Sequence, residues 1–384
     1  MSAAARLRIA VLNRHFGYRF GGAERYSAAI AEALSQQHEV HVFAQEIEHA
    51  HPGITYHRIS RPLAKPRWLN QLWFALQTWL QTRQGFDVVH SHENTWHGHL
   101  QTVHVRPFRI GLFHGKSTSR RWLRWLSLIT SPRLLTYWCL EAARFSPRHD
   151  RWIVATSDPV MKETVAGYPH TAAAMEVIPP GVNLPHEPLG SDEARQRLQL
   201  PLEVPLALFV GNDFDKKGLP TLLKAMASVP RLHLAVVGQG RHLSHYRQQI
   251  EALGLMDRVH LLGSLPDVSP AYAAADFLVH PTTEDTYAMV VLEAMAFGLP
   301  VLVSRARYCG IAAELTHGVD ALILDQPQDE QALGQQIRTL LENPTLRSTL
   351  SQRGLQFARE RSWSHAAARH EALIQRIRSL PPNA

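Results

Sequence analysis

Residues 280–300 read HPTTEDTYAMVVLEAMAFGLP, and the rest of the chain is read outward from them. The apolar run Phe277, Leu278, Val279 enters the stretch as a strand. A polar turn, Thr282-Thr283-Glu284-Asp285-Thr286, leads into a helical pattern that stops at Gly298 and Pro300. Gly just past a helix end and Pro shortly after it are stop signals. Strand, loop and helix therefore follow one another, with carboxylates in the loop and a further one, Glu293, inside the helix. The start of such a helix exposes unpaired N–H groups and the positive end of the helix dipole, which suits a phosphate. A carboxylate there serves another group, such as a sugar hydroxyl. Glu293, among apolar neighbours, needs a hydroxyl or N–H partner to be buried cheaply, and two vicinal ribose hydroxyls would supply one. In the alternative reading, Glu284 and Asp285 cap the helix and Glu293 faces water.

At 384 residues the chain suits two domains. Apolar content of 45% against 19% charged excludes a disordered protein. Cys139 and Cys309 lie far apart and form no motif, so a reducing compartment is expected. The opening MSAAARLRIAVLN reads as a first strand because its apolar run is too short for a signal peptide. No apolar run approaches the roughly 20 residues that span a bilayer. The net charge of +7 is uneven: residues 1–184 carry 21 Lys and Arg against 12 Asp and Glu, and the remainder 19 against 21. Ten basic residues and two acidic ones fall within 106–151. The front half is built to face something anionic.

In that half, Arg8–Asn13, Glu39–Ala44, Phe86–His90, Thr102–Val105, Trp152–Thr156 and Glu176–Ile178 read as strands. Between the first two, Tyr26, Ile30, Ala33 and Leu34 recur at helical spacing. The alternation predicts an α/β fold, a doubly wound parallel sheet with helices on its faces. Gly21-Gly22 precedes the first helix, where two glycines serve either a close approach to a ligand or simply a tight turn. His90, His92, His97, His99 and His104 form a histidine-rich segment without cysteine, a weak basis for zinc. His104 ends a predicted strand at the edge where α/β sites form. From Lys116 to Arg151, Arg120, Arg121, Trp122, Arg124, Trp125, Arg133 and Trp138 combine basic and aromatic side chains on amphipathic helices. That composition suits an anionic membrane or glycolipid surface. Plain core helices are the alternative, with single-stranded nucleic acid a distant third. Trp68, Trp73 and Trp79 are expected on the same surface.

The Pro- and Gly-rich passage from Ile178 to Gly190 marks a boundary. Beyond it, Leu206–Val210, Leu232–Val237, Val259–Leu262, Phe277–Val279, Val301–Val303 and Ala321–Leu324 repeat the strand pattern, and Gln328–Glu342 and Trp363–Ile377 read as amphipathic helices. After the first of these strands, Gly211-Asn212 leads to Lys216-Lys217, two cations that can neutralise a diphosphate leaving group or simply sit in a surface turn. Asp213-Phe214-Asp215 has the form of a metal-binding Asp-x-Asp, but its place after the first strand of a doubly wound domain argues against that role.

Glu293-Ala294-Met295-Ala296-Phe297-Gly298-Leu299-Pro300 resembles the donor-site signature of the family 4 glycosyltransferases, in which Glu, seven residues and a second Glu lead into Ala-Met-Ala-x-Gly-x-Pro. Thr102-Val103-His104, Val237-Gly238-Gln239-Gly240 and the Ile178–Val182 element resemble other parts of the family. Phe20-Gly21-Gly22, Val210–Gly218 and His280-Pro281 are similar to loops of its lipopolysaccharide-core glucosyltransferases. The chain departs from the family at Asp285, where Glu is usual, at Ala288, where Gly is usual, and at Asn212, where Arg is usual.

The resemblance implies the GT-B fold, two Rossmann-like doubly wound domains facing across a cleft. Residues 1–184 would form the acceptor side and 185–360 the nucleotide-sugar side, with a terminal helix in 361–384 crossing back. It implies a retaining, metal-independent transfer of a hexose from a nucleotide sugar, a UDP-sugar first, to a lipopolysaccharide-core or related lipid-linked glycan. His104, Asp285 and Lys217 would be the catalytic residues. Gly21, Gly22, Gly211, Asn212, Lys216, Lys217, Gly238, Leu265, Asp285, Tyr287, Ala288, Met289 and Glu293 would hold the donor. Asp285 would take the donor sugar, Glu293 the ribose, and the lysines with the N–H groups around Tyr287–Met289 the diphosphate. No cofactor, metal or nucleic-acid partner is expected, and the implied location is the cytoplasmic face of the inner membrane. A nucleotide-sugar 2-epimerase of the same fold and a catalytically impaired glycolipid-binding module are the alternatives.

Overall fold

The computed structural model describes residues 6–63, 65–240 and 243–379. Seven parallel strands form one sheet: β1 (Arg8–Leu12), β2 (Glu39–Ala44), β3 (Ile54–Arg58), β4 (Val88–Ser91), β5 (Leu100–Val103), β6 (Trp152–Ala155) and β7 (Met175–Val177), in the order β3-β2-β1-β4-β5-β6-β7. Six form another: β8 (Leu206–Val210), β9 (His233–Val237), β10 (Val259–Gly263), β11 (Phe277–His280), β12 (Val301–Ser304) and β13 (Leu322–Leu324), in the order β10-β9-β8-β11-β12-β13. Each sheet starts in its middle, winds to one edge and returns to build the other side. The loops leaving β1 and β4, and those leaving β8 and β11, therefore diverge and open a crevice at the carboxyl ends of the strands. The central strands read as near-continuous apolar runs because helices cover both faces. All five residues of β8 are buried, as are all four of β11.

The chain divides into two compact units. One comprises the residues up to Pro180 together with those from Trp363 onward, and the other is the continuous segment Gly181–Ser362. The helix Trp363–Ser379 lies against α1 (Gly22–Ser35) in the first unit. There the Tyr26 ring meets Trp363 edge-on at 5.6 Å, and its hydroxyl donates to the Ile178 carbonyl at 3.0 Å. The strand boundaries expected from sequence hold to within two residues. The sequence reading missed β3, the short parallel pair His15–Gly17 and Glu46–Glu48, and the helix Pro344–Arg359. In β3 only Ile54 is fully buried, so this edge strand lacks the apolar run that marked the others.

Between β3 and β6 the first unit carries α2 (Arg67–Thr82), α3 (Phe108–Phe113), α4 (Thr118–Thr130) and α5 (Pro132–Arg144). Ser131 caps α5 and Pro132 opens it, the usual division of labour at a helix start. Leu128 is the sole buried residue of α4, whereas Trp122 and Ile129 are each 69% exposed. Trp125 packs on Phe113 and Trp138 at 5.2 and 5.7 Å, so the aromatic segment is part cluster and part open surface. Trp68, Trp73 and Trp79 do not share that surface exposure. They are half-buried, with Trp73 donating to Ser60 and Trp79 beside Trp96.

A line of imidazoles runs through the first unit. His92 Nδ1 and His104 Nε2 lie 2.8 Å apart, His90 Nε2 bonds Thr102 Oγ1 at 2.7 Å, and His370 Nε2 lies 3.4 Å from the Tyr26 hydroxyl. Burial drives all four rings toward the neutral form, His104 down to about 3 and His370 to about 4. An unfolded imidazole takes a proton below about pH 6.5. Stability is therefore full above that pH and is lost as pH falls toward the native values, at about 1.4 kcal/mol per pH unit for each proton excluded. All nine tryptophans lie in the first unit, so their fluorescence follows that unit alone. The urea midpoint read by tryptophan emission is expected to fall steeply from pH 7 to pH 5, and less steeply in His370→Gln. An unchanged midpoint would show that these rings are not held neutral.

Candidate active site

Two loops meet at the switch point of the second sheet. The first leaves β8 through Gly211 and Asn212 and closes on the short turn of helix Phe214–Lys217, capped by the Asp213 side chain. The second leaves β11 at Pro281 and reaches the helix Met289–Ala296 through Ala288. They dock tightly. Thr283 N–H and the Thr282 hydroxyl both donate to the Lys216 carbonyl, at 2.7 and 2.9 Å. Gly218 lies at φ 84°, and a Cβ there would fall 2.0 Å from the Pro281 carbonyl oxygen, so only glycine fits.

Docking places Lys217 Nζ 2.5 Å from Asp285 Oδ2, with 22% and 15% of the two side chains exposed. Lys216 pairs instead with Glu284 at 3.0 Å on the open surface, at 54% and 63% exposure, where an ion pair is worth little. Neighbouring acids thus have opposite environments, Asp285 turned in and Glu284 out. Asp285 Oδ2 also faces His280 Nε2 at 3.1 Å, while Oδ1 accepts the Ala288 N–H at 2.9 Å. Burial raises the Asp285 carboxyl, but His280 and the Lys217 charge outweigh it and hold the group well below the usual carboxylate range. Burial lowers His280 more than Asp285 raises it. His280 is therefore neutral, and since an ionised carboxylate can only accept, its proton sits on Nε2. A carboxylate offers roughly four acceptor positions, and three are filled here, which leaves room for one more donor.

The backbone of Asp285 is fixed as well: its N–H donates to Tyr308 O and its carbonyl accepts from Gly310 N–H. Ala288, which caps the following helix, sits in the left-handed region at φ 71°. The departure from glycine at this position is thus a strained one, of about 1–2 kcal/mol. The N–H groups of Met289 and Val290, in the first turn, have no partner within the helix. Tyr287 is buried, and burial together with the charge of Glu314 raises its phenol. About one turn on, Glu293 is half-buried and accepts the Tyr272 hydroxyl at 2.7 Å. The partner that a carboxylate in apolar surroundings requires is here a phenol stacked on Phe297.

On the other side of β8, Asn212 Oδ1 accepts the Gln239 N–H at 3.1 Å, and a Cβ at Gly238 would lie 1.9 Å from the Gly211 carbonyl oxygen. Gly211, Asn212 and Gly238 thus form one closely packed backbone floor. Leu265, past β10, is half-buried against the core. In the first unit, Gly21 and Gly22 open α1, and His104 follows β5 directly, held by His92 and edge-on to Tyr26 at 5.1 Å. The structure therefore joins Lys217, Asp285 and Ala288, and links them to Gly211, Asn212 and Gly238 through the Lys217 side chain, which lies against Gly211, while Gly21, Gly22 and His104 belong to the other unit. Sequence reasoning missed His280 and Tyr272 as partners of the two acids. The signal for His280 was a polar residue closing an otherwise apolar central strand. Among the described residues, no group of three or more His, Cys, Asp or Glu side chains is arranged as metal ligands would be, the histidine-rich segment included.

Comparison with known proteins follows the same division. Residues 20–185 match the family model for Glycosyltransferase Family 4, and residues 190–357 match that for Glycosyl transferases group 1. The chain is 29% identical over 258 residues to the lipopolysaccharide glucosyltransferase WaaG of Escherichia coli K12, a match that covers 65% of this chain and 64% of WaaG. The chain thus spans less than two thirds of that curated relative. The crystal structure of WaaG superposes with a TM-score of 0.81 at 22% identity, over 95% of this chain and 99% of the other. Anabaena Alr3699/HepE, solved in complex with UDP-glucose, superposes with a TM-score of 0.72 at 19% identity, over 98% and 100%. With doubly wound sheets in both units and both family models matched in order along its length, the chain belongs to the family 4 glycosyltransferases of the GT-B fold.

Proposed function

We propose that the chain transfers a hexose from a nucleotide sugar, UDP-glucose in the first instance, to a lipid-linked, anionic glycan of the lipopolysaccharide-core type, with retention and without a metal. The observation that carries this reading is the Lys217–Asp285–His280 cluster at the switch point of the second sheet. Negative charge develops on the departing diphosphate as the glycosidic bond breaks. Lys217 stands ready to meet it beside the first-turn N–H groups of the Met289–Ala296 helix, the electrostatic task that dominates such catalysis. Asp285 keeps one acceptor position for a donor-sugar hydroxyl, and Glu293 receives the ribose. His104, in the first unit, completes the proposed catalytic set as a neutral ring that would not repel a developing oxocarbenium charge. The leaving phosphate serves as base on the same face as the attack. UDP-glucose in HepE and the glucosyl transfer named for WaaG support glucose as the first sugar to try.

The acceptor and its membrane are read from the first unit. Helix α4 presents Trp122, Leu123 and Ile129 at 63–69% exposure, interleaved with Arg120, Arg121 and Arg124, which form no ion pair among the described residues. Basic side chains around exposed tryptophan and aliphatic groups suit the interface of an anionic bilayer. No helix among the described residues is long and apolar enough to cross a membrane. The proposed location is the cytoplasmic leaflet, with α4 seated at the headgroups.

Turnover of UDP-glucose should persist in the presence of chelator. It should fall about 10²–10³-fold in Lys217→Met, as when one oxyanion-stabilising donor is removed. Glu293→Ala should raise KM more than it lowers kcat. Failure of every UDP-, GDP- and ADP-sugar to bind would sink the transferase reading. Sedimentation with vesicles containing anionic lipid should be lost in a Trp122→Ala, Ile129→Ser double variant that keeps donor hydrolysis. Equal binding to neutral vesicles would remove the electrostatic part of the proposal.

A further inference from the structure

A cavity of about 290 Å³ opens in the first unit where β5 ends, walled by the start of α3 and one face of α5. Its lining includes Arg106, Arg133 and Arg144 against the single acid Glu141, with Phe108 and Tyr137 as aromatic walls. The charges are not equivalent. Arg144 is 4% exposed, and its guanidinium donates to Gln101 Oε1, Asn94 Oδ1 and the Thr102 carbonyl, all neutral oxygens. Glu141 is turned away from this role, because its oxygens accept the N–H groups of Phe108 and Arg109 and the Tyr168 hydroxyl. The cavity therefore has a buried cation near its floor that no direct ion pair neutralises. At the rim, Arg133 has no acidic partner among the described residues, and Arg106 has only an exposed pair with Glu163. Burial lowers Arg144 to about 10, which leaves it charged at neutral pH.

We propose that this cavity binds a sugar phosphate, one ring carrying a phosphate monoester. The volume lies at the small end of ligand sites, enough for one ring and too small for a nucleotide sugar. Aromatic and aliphatic walls suit the C–H faces of a pyranose, and two rim guanidiniums suit the planar, bidentate grip that a phosphate accepts. Within the transferase reading, on which its role as an acceptor subsite rests, the ring held here is a phosphorylated sugar of the lipid-linked glycan. Binding itself does not depend on that reading.

The test is calorimetry on the full chain at low salt, with glucose 6-phosphate, glucose and inorganic phosphate as probes and UDP-glucose as an independent control. Glucose 6-phosphate is expected to bind at least about tenfold more tightly than glucose or inorganic phosphate, the weight of one charge-assisted hydrogen bond. Arg133→Ala, at an exposed position, should remove that advantage, and Arg133→Lys should restore part of it. Val105→Trp at the cavity mouth should abolish binding while leaving UDP-glucose affinity unchanged. Equal affinity in wild type and Arg133→Ala, or inorganic phosphate binding as tightly as the sugar phosphate, would overturn the site. So would absence of glucose 6-phosphate binding in a protein that binds UDP-glucose, and the transferase reading would then survive. Binding of glucose 6-phosphate without any nucleotide sugar would do the reverse.

Discussion

The second unit depends on a half-buried ion pair between loops that leave adjacent, central strands. Lys217 and Asp285 belong to segments 68 residues apart, and each is placed by backbone contacts independent of the pair: Gly218 fits beneath Pro281, and Asp285 is bridged on both sides to 308–310. A pair of this kind is costly to desolvate and costly to break by removing one member. Here a neutral imidazole and a backbone N–H fill further acceptor positions of the carboxylate. That makes the charge tolerable in place and holds the ammonium on the Asp285 carboxylate and the Glu284 carbonyl. Under the proposed function, a diphosphate would have to share this cation with a carboxylate that does not take up a proton near neutrality.

The first unit solves a different problem, the burial of cations without acids. Arg144 and Arg151 are both buried, and their hydrogen bonds end on carbonyl, amide or hydroxyl oxygens. Arg151 collects the carbonyls of Trp96, Gly98, Ala143 and Arg144, so a single guanidinium holds the irregular passage before β5 to the end of α5. Five fixed donors in a planar fork make this possible where a lysine would fail. The consequence is a unit whose interior, as well as its surface, is biased toward positive potential, and buried histidines nearby respond by staying neutral.

The fold was legible because parallel strands covered on both faces leave unbroken apolar runs, as in LALFV and FLVH, and because Gly298 and Pro300 end their helix where stop signals predict. The edge strand Ile54–Arg58 was not legible, since an edge needs only one buried side chain in five to hold its place. At the site, the loops could be located from spacing, but the inward acid was singled out only through the family resemblance, and the pairing not at all. Nothing in Lys216-Lys217 and Glu284-Asp285 says which lysine meets which acid. That choice follows from the docking of two loops across a sheet, a property of the packing. Tyr272 lies 21 residues from Glu293, and no periodicity links them. Exposure of Trp122 against partial burial of Trp79 was equally out of reach, because both sit on amphipathic helices of similar composition.

The first unit's core is closed by a helix that the chain reaches only after completing the second unit. Tyr26 meets Trp363 and His370, the latter 344 residues later. On the ribosome, the face of α1 that meets the terminal helix therefore stays uncovered until Trp363–Ser379 has emerged, while the continuous segment Gly181–Ser362 already has every strand of its own sheet. At about 5–20 residues per second, that wait lasts roughly 15–70 s. Assembly order runs opposite to sequence order: the later unit can finish first, and the earlier one is completed only when Trp363–Ser379 has been made.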